Sequence, residues 1–259
     1  MTAKPSPVFV SHGAPTLIVE DTPARHFLAG LAERTGRPEA IVVVSAHWET
    51  RDPQVGAPAR FGTIHDFYGF PRELYQITYA PPGHAGVADR VAQRRASAGF
   101  AVTRDDPRGL DHGAWVPLKL AFPAADVPVV SLSIQHARGP AHHIALGRAL
   151  AGLAEENVWV LGSGSTTHNL AAIEWGARAI APWAREFDTW LWRTVAAGDD
   201  AALADYRARA PYAVLAHPRD EHLLPLLVAY GAAGAGAKGG RIHESFIHGT
   251  LSMTAFEFT

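Results

Sequence analysis

Three apolar runs in this chain each end in a histidine. Ile41 to Val44 leads into Ser45, Ala46 and His47, Pro7 to Val10 leads into Ser11, His12 and Gly13, and Val158 to Leu161 leads into GSGSTTHN with His168. Neutral imidazole is the commonest side-chain metal ligand, and it is also the side chain that exchanges protons nearest neutral pH. Histidines at equivalent strand ends can share one ion or serve one substrate. Taken singly, each has the alternative of a hydrogen-bonded structural residue. The chain holds 14 histidines, and their scatter is unlike a tag. It has no cysteine, which excludes disulfides, thiolate nucleophiles, iron–sulfur clusters and cysteine zinc sites. Any metal must use nitrogen and oxygen ligands.

Glu221 and His222, in HPRDEH, offer a third ligand, because a helix start facing strand ends is a place for one. Neither H-E-x-x-H nor H-x-x-E-H fits, so a zinc-protease reading fails. The structural alternative is a charged helix start with Asp220 and Glu221 in its first turn. His112 lies beside Asp111 in GLDHGAW, as a proton donor in a pocket or a buried loop residue. Around His168, Gly162 to Ser165 does not form the G-x-S-x-G of a serine hydrolase, and a phosphate cradle is a weak alternative. His65, His217 and His248 rank second. His26, His84, His136, His142, His143 and His243 have no convergent context.

These residues need a scaffold, and the β-branched look of Ile41 to Val44 fits a strand buried on both faces. Open α/β sheets place their chemistry at the carboxyl ends of such strands. Thr22 and Pro23 start a helix that runs to Thr35 before Gly36, giving a β-loop-α-β opening with parallel pairing. Further helices are expected over Gly83 to Ala98, His142 to Glu155, Gly176 to Ala197 and Asp199 to Ala210, with one after HPRDEH that Pro225 restricts near its start. Strands are expected at Tyr75 to Tyr79, Phe100 to Thr103, Val127 to Leu132 and in the tail. Arg51 to Pro82 otherwise reads as a long loop whose Phe67, Tyr68 and Phe70 serve as a site wall or as packing. Gly231 to Gly240 is a flexible loop and the weakest candidate boundary. The expectation is a single α/β domain over 1–259: a central, mostly parallel or mixed sheet, helices on both faces, and a metal site at strand carboxyl ends.

Charge adds exclusions. With 23 basic and 25 acidic residues and a net charge of -2, nothing favours nucleic acid or a membrane surface as partner. Met1 to Gly13 has no cleavage pattern, and no run of about 18 apolar residues occurs. The expected location is cytoplasmic. Oligomeric state is left open.

Together, SHGAPTL, VVVSAHWE, HDFYGFP, GLDHGAWVPL, LGSGSTTHNL, HPRDEHLLPL and the final AFEF resemble the class III extradiol ring-cleavage dioxygenases, in their DOPA 4,5-dioxygenase-like branch. The resemblance runs from near residue 7 to the carboxyl end. It implies a non-haem Fe(II) enzyme that uses O2 to open a catechol beside its hydroxyls, giving a muconic semialdehyde. It implies His12, His47 and His222 as metal ligands, His168 as acid/base and possible fourth ligand, and His112 as a second pocket histidine. Zn(II) is the ion often placed there in family structures. The wider iron-oxygenase triad has two histidines and a carboxylate, so Glu221 competes with His222. Neighbours on a helix point about 100° apart, so one of them binds. Two other readings use the same residues: a zinc hydrolase and a non-catalytic metal-binding protein.

Overall fold

The apolar runs become strands of one eight-stranded sheet. In the computed structural model, which describes residues 4–259, they are β1 (Val8–Ser11), β2 (Ala40–Glu49), β3 (Gln54–Gly56), β4 (Thr103–Arg104), β5 (Val129–Ile134), β6 (Val158–Gly164) and β7 (Gly239–His243). β8 (Phe246–Ile247) and β9 (Leu251–Ser252) form a separate hairpin, and β10 (Ala255–Phe258) returns to the main sheet. The order is β4-β3-β5-β2-β6-β1-β10-β7. Its centre, β5-β2-β6-β1, is parallel, and antiparallel pairs with β3 and β10 flank it. The sheet is therefore mixed, as expected.

Alternation along each strand divides the core into two layers. Val42, Val44 and Val160 pack with the helices Ala85–Ser97, Gly139–Arg148, Pro182–Ala197 and Leu224–Ala232. Ile41, Val43 and Leu161 pack with Pro23–Ala29, Leu31–Thr35 and His112–Ala121. A strand buried on both faces has no polar alternation, which is why these runs read as continuous. Among the described residues no helix is long and apolar enough to cross a membrane.

Several expected elements differ. No strand forms over Tyr75 to Tyr79, because Arg72–Gln76 is a 3-10 turn burying Leu74, and Tyr79 is the next buried side chain. β3 lies inside the stretch expected as loop, hidden by Pro53 before it and by Gly56, its last residue. The first helix breaks at Gly30, and the helix expected to reach Glu155 ends at Arg148, with Gly152 at φ 87° starting a separate 3-10 turn. Pro182 starts the tryptophan-bearing helix six residues late, and the one after it splits at Asp205. The Gly231 to Gly240 stretch links a core helix to β7 of the same sheet, so it divides nothing.

Candidate metal centre

β2 extends to Glu49, so His47 lies within the strand rather than beyond it. Its ladder to β6 ends at Ser45, and its register to β5 shifts between Val44 and Glu49. The pairing is interrupted there, resuming at Glu49 with Ile134, and His47 falls in the interruption. His12 follows β1 directly, tied by its amide to the Gly164 carbonyl at 3.0 Å. His222 sits in a turn before Leu224–Ala232, not in the helix, and its carbonyl accepts from the Ser165 amide at 2.9 Å. One ring nitrogen from each of His12, His47 and His222 lies within 4.8 Å of the others.

Small residues make that convergence possible. A Cβ at Gly162 would stand 2.3 Å from the Pro225 carbonyl oxygen, and one at Gly164 would stand 2.0 Å from that of His222. The glycines of GSGSTTHN thus seat the turn that carries His222, a packing use and not a phosphate cradle. Gly113 does the same for the helix behind His112, where a Cβ would approach Ser45 Oγ at 2.6 Å and His47 Cδ2 at 2.8 Å.

His168 and His112 flank the cluster. The His168 ring stacks on His222 at 3.4 Å between centroids, and its amide is held by the Ala216 carbonyl at 2.8 Å. The His112 ring lies 4.1 Å from that of His47, at the start of a helix capped by the Asp111 side chain. Asp111 also accepts from Ser45 Oγ at 2.5 Å and from Arg108, which reaches the His47 carbonyl at 3.2 Å. Phe67 meets the His112 ring edge-on at 5.9 Å, so it lines the site while packing against the core, and Phe70 packs on the core and on Phe67 at 5.5 Å. Tyr68 is 92 % exposed and does neither.

Second-rank histidines go elsewhere. His65 bonds the Ile77 carbonyl at 3.0 Å, buried His217 bonds that of Thr166 at 2.9 Å, and His248 holds the Gly176 amide at 3.1 Å. None of these three, nor of the six set aside, joins a potential metal group among the described residues.

Two carboxylates stand behind the rings: Asp66, for which no role was expected, and Glu221, expected as a rival of His222. Asp66 Oδ1 accepts from the His112 amide at 2.9 Å and from His112 Nδ1 at 3.0 Å, while Oδ2 faces His47 Nδ1 at 3.6 Å. Burial alone would raise Asp66, but the hydrogen bonds and charge of His112 draw it down to about 2. Glu221 Oε1 accepts from His222 Nδ1 at 2.9 Å and lies 3.9 Å from His168 Nδ1. A turn, unlike a helix, lets these neighbours touch, so the expected 100° divergence does not hold. The only sequence signal for Asp66 is its place in HDFYGFP.

Burial, then the neighbouring rings, holds His12 and His222 well below their ordinary pKa and lowers His47 to about 4. Burial also brings His168 to about 4. All four are neutral at pH 7 and available as ligands or bases. The hydrogen-bond network assigns their tautomers. Ser163 Oγ gives its one proton to the Gly113 carbonyl, so it accepts from His12 Nδ1 at 3.1 Å, and His12 turns a bare Nε2 inward. His222, donating through Nδ1, does likewise.

His47 has no good neutral tautomer. Its Nε2 lies 3.1 Å from His12 Nε2. A proton on Nδ1 suits Asp66 but sets two bare nitrogens against each other. A proton on Nε2 suits His12 but turns a bare Nδ1 toward a carboxylate. A cation shared by the Nε2 atoms resolves the conflict, so the donor set fits a metal of the kind imidazole favours.

The chain matches a family described as the catalytic LigB subunit of aromatic ring-opening dioxygenase, over residues 7–259. It is 44 % identical to a 4,5-DOPA dioxygenase extradiol of Beta vulgaris, covering 97 % of this chain and 95 % of that protein. It is 38 % identical to one of Escherichia coli K12, covering 87 % and 84 %. The crystal structure of an uncharacterized Escherichia coli K12 protein is similar at TM-score 0.81 and 32 % identity, over 96 % of this chain and 97 % of that one.

Proposed function

From the premise that this chain belongs to the LigB family of aromatic ring-opening dioxygenase catalytic subunits and is an extradiol dioxygenase, we propose that it opens a catechol-type ring to a muconic semialdehyde. His12, His47 and His222 hold Fe(II), within one catalytic domain spanning 1–259. Zn(II) fits the same nitrogens and would occupy them without supporting the oxidation. The observation that carries this reading is the three-imidazole cluster, in which the Nε2 atoms of His12 and His47 face each other at 3.1 Å, an arrangement that a shared cation resolves. Iron held by these residues would supply electron transfer between catechol and O2.

The remaining residues hold the ring and move its protons. Phe67, backed by its contact with Phe70, offers an apolar surface to a flat substrate beside His112. His112 donates through Nδ1 to Asp66, which leaves Nε2 as its free acceptor for a catechol proton. Once charged, it faces an ionised carboxylate, and its Nε2 proton can then bond a developing oxyanion. His168, neutral through burial, takes the second proton and returns one to the product. Glu221 orients the His222 ring from behind and is not the third ligand. A 4,5-DOPA-like catechol is the first substrate to try, given the relatives' names.

The test is anaerobic reconstitution with Fe(II), followed by a panel of catechols and O2. Oxygen uptake with a yellow ring-opened product is expected for at least one of them. Inactivity across the panel at full iron occupancy would overturn the assignment of catechols.

A further inference from the structure

We propose that Asp66 is a positioning residue that sets the tautomers of His47 and His112 together, so that one carboxylate orients a metal-binding imidazole and a substrate-facing one. The proposal rests on the reading of His12, His47 and His222 as the metal set.

The carboxylate is committed to these two rings. Oδ1 receives two donors from His112, at 2.9 and 3.0 Å, and Oδ2 faces His47 Nδ1 at 3.6 Å, just beyond hydrogen-bond range. Among the described residues its carboxylate faces these two histidines and pairs with no lysine or arginine. The residue lies at the surface, but its side chain is only 24 % exposed and turned to the two rings. Its loop is fixed from both sides two residues earlier, where the Ile64 amide donates to the Leu110 carbonyl at 2.8 Å and the Ile64 carbonyl accepts from Trp115 Nε1 at 3.0 Å. Leu110 and Trp115 bracket His112, so the carboxylate and the ring it holds share one rigid frame.

The consequence is a coupling between two tasks. With Asp66 in place, His112 keeps its proton on Nδ1 and presents a bare Nε2 to substrate. His47 is drawn toward the tautomer whose bare Nε2 meets the metal. Carboxylates behind metal-bound imidazoles characteristically raise ligand basicity and fix ring orientation.

Asp66→Asn separates the two arms: its amide oxygen can still accept from His112, while its NH2 group confronts His47 Nδ1. Asp66→Ala removes both. In the metal-free protein, 15N imidazole shifts should place the His112 proton on Nδ1 in the wild type and in Asp66→Asn, and show mixed tautomers in Asp66→Ala. Co(II) titration, followed by its visible spectrum, should show affinity about 10–100-fold lower in Asp66→Asn. Unchanged His112 tautomers in Asp66→Ala together with unchanged Co(II) affinity in Asp66→Asn would overturn the proposal. Should Asp66→Ala fail to fold, the near-isosteric Asp66→Asn decides through its Co(II) affinity. His47→Ala is the separating control: wild-type Co(II) affinity in that variant sinks the metal set, and the His112 shifts still judge Asp66.

Discussion

Glu221 and His222 are adjacent, and either could complete a metal set with two histidines. Their contact argues for a division of labour, since Glu221 Oε1 already accepts from His222 Nδ1 at 2.9 Å, which leaves His222 Nε2 bare toward the other rings. A carboxylate in that position tunes a ligand. Glu221→Gln should therefore keep the Co(II) spectrum while weakening affinity about tenfold, whereas His222→Ala should abolish the specific spectrum. The opposite pair of results, read by the same titration, would make Glu221 the ligand. His168 is tested differently, because it stacks on a ligand and stands in base form. His168→Ala should retain bound metal by elemental analysis while kcat falls about 10²–10⁴-fold, the usual weight of a general acid/base. Turnover at the wild-type level with metal in place would remove it from the chemistry.

At the scale of elements, the parts that place the site are those whose signal is local. Ile41 to Val44 and Val158 to Leu161 announce buried strands through their own side chains, and both became neighbours in the sheet centre. What was not legible depends on distant backbone. The smallness of GSGSTTHN has its reason in the carbonyls of Pro225 and His222, and β2 runs on past Ser45 because its pairing and a register shift decide where it ends. The Tyr75 to Tyr79 stretch shows the reverse failure, where aromatic and β-branched residues suggested a strand that a 3-10 turn pre-empts. The close packing can be tested. Gly164→Ala and Gly113→Ala should each cost about 1–3 kcal/mol, the range for overpacking. They should also lower Co(II) affinity, since each displaces a segment carrying a site histidine. Gly62→Ala, where a Cβ would meet nothing within 4 Å, should change neither. Urea midpoints and Co(II) titrations on the three proteins check this; a wild-type-like Gly164→Ala would mean the His222 turn is not seated as described.

For the molecule as a whole, motifs over nearly the full chain pointed to the fold and to five histidines, because those residues recur in recognisable local contexts. Asp66 escaped notice because its role exists only across the fold: it precedes HPRDEH by over 150 residues and meets His47 and His112 from an irregular loop, whereas Glu221 was legible as a rival ligand and its contact with His222 recasts it. Concentrating neutral histidines in a dry interior also has a global cost in acid. Burial lowers His47, His168 and His217 to about 4 and His143 to about 3. An unfolded histidine titrates near pH 6.5, so below that the unfolded chain binds protons that the native one refuses. Stability then rises with pH wherever the unfolded state holds more protons. The contribution is fully present above about pH 6.5 and is progressively lost as pH falls toward about 4. Metal-free protein should accordingly show urea midpoints that hold steady from about pH 8 to 6.5 and drop steeply below. Bound metal should raise the plateau, because it binds only the neutral rings, and its benefit should vanish over the same interval. A midpoint independent of pH across that interval would mean that these histidines are not held neutral by the fold, and the metal centre would lose the feature that prepares it.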